Sequence, residues 1–165
     1  MISGLAAGID SAAHAAAFEA AGNTIGVIGT PIDRCYPRVN QALQDRIARE
    51  QLLISQVPFY RYRVESLDLK MLQFLDRNDT MAALAEATII VEAGQTSGTL
   101  TQARACIQQG RKMLILNSCF ERPDLTWPAV FQKKGAIRVR SFDDIQRALA
   151  VVPTPSTTPA ALEDA

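Results

Sequence analysis

Short runs of β-branched and aliphatic residues alternate along this chain with longer helical stretches, and this alternation limits the possible fold more than any other feature. Strands are predicted at 24–29, 52–55, 88–92, 112–116 and 136–139, and Met1–Ser3 resembles the end of a further strand. Helices are predicted near 10–21, 38–50, 78–86, 98–109, 126–133 and 142–149. Strands that alternate with helices form βαβ units. We therefore predict an α/β protein with a doubly wound, mostly parallel sheet and helices on both of its faces.

The length and the composition indicate one domain followed by a tail. A chain of 165 residues can bury a core of its own, and we assign the domain to residues 1–150. Residues 151–165 (VVPTPSTTPAALEDA) are rich in proline and threonine, so we predict a disordered tail or a linker there. Residues 56–68 show no clear periodicity and are predicted to form a long loop. Gly22 and Gly110 are placed where a helix end favours the left-handed conformation.

The charge balance and the cysteines exclude several classes of protein. The 17 basic and 17 acidic residues cancel, so contact with nucleic acid must depend on local placement rather than on bulk charge. No apolar run reaches the roughly 18 residues of a membrane span, and no signal-like segment follows Met1. We therefore expect a cytoplasmic protein without a membrane segment. Cys35, Cys106 and Cys119 show neither paired nor zinc-binding spacing, so we expect reduced thiols and no metal site.

Three glycine-containing turns follow predicted strands and precede predicted helices. They comprise residues 3–10 (SGLAAGID), 29–37 (GTPIDRCYP) and 94–99 (GQTSGT). In a parallel sheet such turns converge at the carboxyl ends of the strands, where helix N-termini carry free N–H groups and a partial positive charge. Glycine lets the backbone approach an anion closely. Each turn is therefore either a phosphate-binding site or a tight connection.

The sequence offers little support for catalysis. It contains neither a Walker A nor a GxGxxG motif, which argues against nucleotide hydrolysis and dinucleotide redox chemistry. His14 is the only histidine and lies one helical turn after Asp10. We expect this pair to stabilise the helix start rather than to act as a general base. Glu92 follows a strand and is either a catalytic carboxylate or a cap of the neighbouring turn.

Two groups of cationic side chains each have two interpretations. Arg77 and Asn78 can reach a phosphate or can begin a solvated helix. Arg61 and Arg63 alternate with aromatic residues in the segment FYRYR (59–63), as in surfaces that bind single-stranded nucleic acids. The same rings can equally fold onto the domain.

Taken in order, these motifs resemble the DNA-processing protein A (DprA or Smf) family, whose core is an extended Rossmann-like domain. The resemblance covers residues 2–118. The motifs that carry it are SGLAAGIDSAAH (3–14), GTPIDRCYPRVN (29–40), RND (77–79) and VEAGQTSGTLTQARACIQQGR (91–111). The residues that the resemblance assigns to DNA or phosphate binding are Gly4, Gly8, Arg38, Arg77, Asn78, Ser97, Gly98 and Thr99.

The resemblance implies a binding role rather than a reaction. Members of the family bind single-stranded DNA, load the RecA recombinase onto it and protect incoming DNA during natural transformation of competent cells, and they act as homodimers. Phosphate contacts of this kind give binding that is independent of base sequence and sensitive to salt. We therefore expect a DNA-binding homodimer with RecA as a partner, without catalytic residues, cofactor or metal.

The sequence also departs from the family pattern. The family places a strand and a helix with a G-[ST]-R turn before SGLA, and this first strand–helix unit is missing here. A sheet without that central strand is expected to contain an open slot. Such a slot has three explanations: Met1 is not the natural start, a partner fills the slot, or the strand order differs. We favour a truncated or divergent member of the family.

Single positions depart as well. Asp79 replaces the second arginine of the family's RNR motif, and LNS (116–118) stands where relatives usually have VPG. Gln41 is neutral where relatives are often basic. The reversed charge at Asp79 weakens the DNA interpretation, because a carboxylate near phosphates repels them.

Two other functions are compatible with the same core. Nucleoside-monophosphate phosphoribohydrolases similar to the LOG proteins use a glutamate in a PGG-x-GT-x-x-E turn. Aligning Gly98 and Thr99 with its GT places Gln102 at the glutamate, and an amide does not exchange protons as a carboxylate does. Hydrolysis is therefore disfavoured. The other hypothesis is a non-catalytic sensor of a nucleotide-like ligand, which the charge reversal at Asp79 favours.

Overall fold

The strands form two parallel three-stranded sheets. The computed structural model describes residues 1–64 and 66–150, and the predicted tail at 151–165 lies outside the described residues. The first sheet has the order β1–β2–β3 and the second the order β4–β5–β6. The strands are β1 (Ile2–Ser3), β2 (Ile25–Ile28), β3 (Leu52–Ser55), β4 (Ala87–Ile90), β5 (Lys112–Leu116) and β6 (Ile137–Val139).

Helices connect successive strands, as parallel pairing requires. A 3-10 turn at Arg38–Asn40 leads directly into the second helix. The helices are α1 (Ile9–Glu19), α2 (Gln41–Glu50), α3 (Phe59–Val64), α4 (Leu67–Leu84), α5 (Thr99–Gln108), α6 (Asn117–Phe120), α7 (Trp127–Lys133) and α8 (Phe142–Ala150). The prediction of an α/β protein with a mostly parallel sheet is confirmed.

Three hydrophobic clusters hold the helices against the sheets. The largest joins Met113 and Ile115 of β5 to α5 and α7. Leu114, between those two residues, points to the opposite face, where it packs with Val139 and with Ala148 of α8. Successive side chains of a strand point to opposite faces, so the second sheet is covered on both sides. A smaller cluster in the first sheet contains Leu5, Ile28 and Ile47, with Phe18, Leu43 and Leu53 packed around it.

The predicted long loop at 56–68 is wrong. α3 occupies Phe59–Val64, and α4 begins at Leu67, eleven residues before the helix predicted at 78–86. The hydroxyl group of Ser66 caps α4 by accepting a hydrogen bond from the Leu69 backbone N–H at 3.4 Å. The first turns of α4 lack an amphipathic pattern, because Leu67, Leu69 and Met71 are all exposed. Periodicity could not reveal a helix that does not bury one face.

The two glycines predicted at helix ends differ in their conformation. Gly110 has φ 66°, as predicted for the residue that ends α5. At the end of α1 the left-handed residue is Ala21, with φ 50°, and not Gly22. The Gly22 N–H donates to the Ala17 carbonyl oxygen at 2.8 Å. This bond closes the helix end at the residue that follows left-handed Ala21. The prediction for Gly22 is therefore wrong in its position.

Helix α4 joins the two sheets. It packs against β1 and β2 of the first sheet and against α5, which covers the second. Within the described residues, β1 and β4 each pair on one side only. Among these residues, the outer strands β3 and β6 also pair on one side only, so strand pairing alone does not locate the slot that the sequence predicts. In the described ranges, no helix is both long and apolar enough to cross a membrane.

Candidate nucleic-acid interface

The three glycine-containing turns meet at the carboxyl ends of the strands, as the sequence predicts. The Asn40 side-chain amide donates to the Leu5 carbonyl oxygen at 2.8 Å and so joins the second turn to the first. The Asn78 amide donates to the Gly98 carbonyl oxygen at 3.1 Å and joins α4 to the third turn. These side-chain bonds place the starts of α1, α2 and α5 along one edge of the molecule.

The Gly4 peptide is the most tightly held part of this edge. Its N–H donates to the Asp10 carboxylate at 3.2 Å, and the Ala6 N–H donates to the same oxygen at 3.1 Å. Its carbonyl oxygen accepts from Arg77 Nη1 at 2.7 Å. A Cβ atom on Gly4 would lie 1.8 Å from that nitrogen, so only glycine allows the arginine to approach this closely. Asp10 therefore accepts hydrogen bonds from the N–H groups that the sequence predicts to be available for a phosphate.

Arg77 lies inside the interface and not on its surface. Its exposed fraction is 9%, and Nη1 also donates to the Val27 carbonyl oxygen at 3.1 Å. Nε donates to the Asn78 side-chain oxygen at 3.1 Å. Burial lowers the pKa of Arg77, and the nearby Asp10 carboxylate opposes that shift. Arg77 thus joins the first turn and β2 to α4, a role that its predicted contact with phosphate did not include.

Three helices begin at this edge without a hydrogen bond from the side chain of their N-cap residue. The N-cap residues are Gly8 for α1, Asn40 for α2 and Gly98 for α5. Gly8 has φ 90°, a conformation that favours glycine, and a Cβ on it would meet no atom within 4 Å. In the third turn, the Ser97 hydroxyl accepts from the Thr99 N–H at 3.2 Å and donates to the Thr99 hydroxyl at 3.0 Å. Helix N-termini of this kind attract anions.

The second turn contributes exposed cations beside these helix starts. Arg34 and Arg38 are both exposed, and Arg38 opens the 3-10 turn that leads into α2. The carbonyl oxygen of Arg34 accepts from the Thr30 hydroxyl at 2.9 Å and from the Gln44 amide at 3.0 Å. These bonds hold the backbone of the turn, so its arginine side chains project from a fixed position.

His14 joins the middle of α1 to the residue before β2. It is fully buried, and Nδ1 lies 2.6 Å from the Thr24 hydroxyl oxygen. Burial lowers its pKa, and the opposing effect of Asp10 is smaller. Asp10 itself holds the N–H groups of the preceding turn rather than those of α1. Both side chains make structural hydrogen bonds, but neither caps the start of α1 as expected, and the buried His14 is out of reach of a ligand at the surface.

The comparisons with known proteins agree with this architecture. The sequence profile described as "DNA recombination-mediator protein A" matches residues 1–150. The chain belongs to this family. The DNA processing protein DprA of Bacillus subtilis (strain 168) is 34% identical over 145 residues, which are 88% of this chain and 47% of that protein. DprA of Streptococcus pneumoniae (strain ATCC BAA-255 / R6) is 39% identical over 116 residues, 70% of this chain and 39% of that protein.

Two solved structures of the family share the fold. The X-ray structure of DprA from Streptococcus pneumoniae superposes with a TM-score of 0.75 at 32% identity, over 88% of this chain and 50% of that one. DprA from Helicobacter pylori, whose structure concerns a single-stranded DNA binding mode, superposes with a TM-score of 0.70 at 24% identity, over 90% and 64%. The chain spans less than half the length of the curated relatives named above.

Of the residues that the family resemblance assigns to DNA, all eight lie at or beside this edge. Gly4 and Arg77 are buried, as is Asn78, whereas Gly8, Arg38 and Gly98 are exposed. Ser97 and Thr99 are half-buried. Asn40 joins two turns of the interface but was not among the predicted site residues. Its place in the family motif YP-x-x-N was the signal that could have identified it.

Three other positions that the sequence singles out are exposed or half-buried. Asp79 is exposed on α4, directly after Asn78. Glu92 is exposed after β4, and one oxygen of its carboxylate lies 3.7 Å from Arg122 Nη1. Gln102, at the position where the LOG-like enzymes have their glutamate, is half-buried in α5. Among the described residues, no three histidine, cysteine or acidic side chains are placed to hold a metal ion.

Proposed function

We propose that this domain binds single-stranded DNA through its phosphates, independently of base sequence. The observation that carries the proposal is the placement of three helix N-termini, at Gly8, Asn40 and Gly98, along one edge of the sheets. Each carries a partial positive charge, because the peptide dipoles of a helix add up at its N-terminus. Successive phosphates of one strand can occupy such a row without any base being read.

Local charge supports this role although the chain as a whole is neutral. Arg34 and Arg38 are exposed beside the start of α2, where they can pair with phosphate oxygens. The Asp10 carboxylate repels a bound phosphate less than a free carboxylate would, because it already accepts hydrogen bonds from two backbone N–H groups. Its neighbour Arg77 is positively charged and buried beneath the same turn.

Membership of the family extends the proposal to partners and pathway. We include RecA as the protein loaded onto the bound strand, natural transformation of competent cells as the setting, the cytoplasm as the location and a homodimer as the working form. The chain matches only part of each relative, so these features need their own tests. Size-exclusion chromatography with light scattering tests the dimer, and a RecA filament assay on coated single strands tests loading.

The primary test is a titration of fluorescent oligo(dT) at two salt concentrations. We expect binding at low salt and a clear fall in affinity as salt rises, because phosphate contacts release counterions. Arg38→Glu should weaken binding, since it reverses a charge beside the α2 N-terminus. The matched control is Arg49→Glu, at the exposed far end of the same helix, which should bind as the parent does. The absence of affinity for oligo(dT) at low salt, or an affinity that salt does not change, would contradict the proposal.

We also propose that the domain has no catalytic activity. Gln102 replaces the glutamate that the LOG-like hydrolases use, and an amide is not a general base. Incubation with AMP and chromatography of the products tests this directly. Release of free base by the parent protein, abolished in Gln102→Ala, would contradict the proposal and favour the hydrolase alternative. Saturable binding of a mononucleotide without turnover, together with no affinity for oligo(dT), would instead favour the nucleotide sensor.

A further inference from the structure

A pair of adjoining cavities lies beside the proposed phosphate row, between the second turn and α3. The larger cavity has a volume of about 590 Å³ and is lined by Arg34, Tyr36, Arg38 and, from α3, Tyr62. The smaller one, about 230 Å³, is lined by Arg34, Phe59 and Arg63. The larger volume lies within the roughly 300–1,000 Å³ that small-molecule sites occupy.

The aromatic rings of the larger cavity are held in place while part of their surface stays open. Tyr36 meets Phe74 edge to face, with ring centroids 5.7 Å apart, and is still 65% exposed. Lys70 Nζ lies 5.0 Å from the centre of the Tyr62 ring, and Arg34 Cζ lies 5.8 Å from it. Partly exposed aromatic rings next to cations form a platform on which nucleic acid bases stack.

The charges of the cavities suit a polyanion. Among the described residues, three arginines (Arg34, Arg38 and Arg63) and a single acidic side chain, Asp33, line the two cavities. The excess of positive charge is therefore local, in a chain whose total charge is zero. Arginine side chains can pair with the phosphate that follows each stacked base.

The cavities continue the proposed phosphate row. Arg38 lines the larger cavity and also begins the 3-10 turn that ends at Asn40, the N-cap residue of α2. A strand with one phosphate at the α2 N-terminus would thus have its neighbouring base beside Tyr62. Phe59, Tyr62 and Arg63, which are spaced to share one face of α3, supply the outer wall.

We propose that these two cavities hold successive bases of the bound strand, one stacked on Tyr62 and the next on Phe59, without reading their identity. The inference rests on the proposed binding of single-stranded DNA and adds a contact with the bases to one with phosphates alone. Stacking tolerates any base, because every base has a π-face.

The first test compares variants on one helix. Tyr62→Ala should lower the affinity for oligo(dT) about tenfold, the loss typical of one stacked base. Tyr62→Phe keeps the ring and should bind nearly as the parent does. Tyr60→Ala is the matched control, because Tyr60 is 79% exposed on the same helix and lines neither cavity. Equal affinity of Tyr62→Ala and the parent would overturn the inference.

The second test changes the ligand and needs no variant that could fail to fold. An oligomer of the same length with abasic sites keeps all its phosphates but has no bases. The parent protein should bind it about a hundredfold more weakly than oligo(dT), because both stacked bases are missing. If the parent binds both oligomers equally and with normal salt dependence, phosphate binding stands and the stacking inference fails. If it binds neither, the proposed function itself fails.

A third readout uses the chemistry of the cavity wall. Cys35 lines the larger cavity and is half-buried, whereas Cys106 and Cys119 are buried. Burial raises the pKa of the Cys35 thiol, so its labelling by a maleimide is best followed at mildly alkaline pH. Saturating oligo(dT) should slow this labelling at least tenfold, and the abasic oligomer should slow it much less. Equal labelling rates with and without oligo(dT) would contradict the inference.

Discussion

The first and third glycine-containing turns have the same form in the sequence but different contacts in the structure. In the first turn, both sides of the Gly4 peptide are held by charged side chains, Asp10 at the N–H and Arg77 at the carbonyl oxygen. In the third turn, Ser97 and Thr99 bond to each other, and Gly98 is exposed.

The difference shows that a glycine pattern alone does not distinguish a structural turn from a ligand-binding one. Gly4 is required because an arginine lies where its Cβ would be. Gly98 has no atom within 4 Å of a Cβ position, so the fold does not require glycine there. A glycine that packing does not demand leaves room for a ligand. The contrast can be tested through stability and DNA affinity, which the two turns should affect differently.

Removing Arg77 should have the largest effect, because it breaks the first turn. Arg77→Ala leaves the Gly4 and Val27 carbonyl oxygens buried without their charged donor, and we expect a loss of about 3–5 kcal/mol in the free energy of unfolding. Urea denaturation followed by circular dichroism measures it. Arg104→Ala, at an exposed position on α5, is the control and should change stability by less than about 0.5 kcal/mol. Equal stability of the two variants would mean that the first turn does not depend on Arg77.

The same variant tests the link from the first turn to binding. If Arg77→Ala remains folded at low temperature, its affinity should fall by a similar factor for oligonucleotides of different sequence, since the turn that it supports faces phosphates. A loss confined to one sequence would contradict phosphate contact at this edge.

Alanine at two exposed glycines should separate stability from binding. Gly8 has φ 90°, so Gly8→Ala should cost about 1–2 kcal/mol in the free energy of unfolding. Gly98 has φ −59° and open space around it, so Gly98→Ala should leave stability unchanged or raise it by about 0.5 kcal/mol. Its methyl group should still lower oligo(dT) affinity severalfold by blocking the approach of a phosphate. A Gly98→Ala variant that binds normally would show that the third turn is not a DNA contact.

His14 should make the first half of the molecule sensitive to mild acid. Burial keeps its pKa in the folded state below the ordinary value of 6.5, so the unfolded chain binds the proton more readily. The stability gained by burying neutral His14 is complete above pH 6.5 and is lost as the pH falls below that value. Denaturation midpoints measured between pH 7.5 and pH 5 should therefore decline. His14→Gln, which does not titrate, should show a flatter profile over that range.

The smallest effect is expected at Asp79, beside the residue that holds the third turn. Asp79→Asn removes an exposed negative charge near the proposed phosphate row and should raise oligo(dT) affinity about twofold at low salt, with less change at high salt. Glu19→Gln, at the exposed far end of α1, provides a control with the same change of charge. If both variants gain equally, the benefit comes from net charge and not from the position of Asp79.

Much of the fold was predictable because its signals are local. The strand at 112–116 coincides with β5, and β2 lies within the predicted 24–29 because compact β-branched runs bound by glycine and polar residues leave few alternatives. The start of α4 was missed since its exposed leucines give no periodic pattern. Ala21 rather than Gly22 adopts the left-handed conformation, because the turn closes through local backbone bonds from the Ala21 and Gly22 N–H groups to the Phe18 and Ala17 carbonyl oxygens.

The candidate site was predictable in its location and less so in its chemistry. Convergence of the three turns followed from parallel topology. The hydrogen-bond partners of Asp10 and Arg77 could not be predicted from topology. They depend on which side chain fills the space left by Gly4. Residues 59–63 were recognised as a run of rings and cations, but their position opposite the second turn needed the path of α3.

The division into two sheets with separate hydrophobic clusters has a consequence for how the molecule opens. Each sheet can exchange its amide hydrogens as a unit of its own, and the two units are coupled where α4 crosses from one to the other. Arg77 and Asn78 lie at that crossing and hold residues of both units. A strand of DNA laid across the edge would span the same boundary, and bound DNA would couple the opening of the two units more tightly.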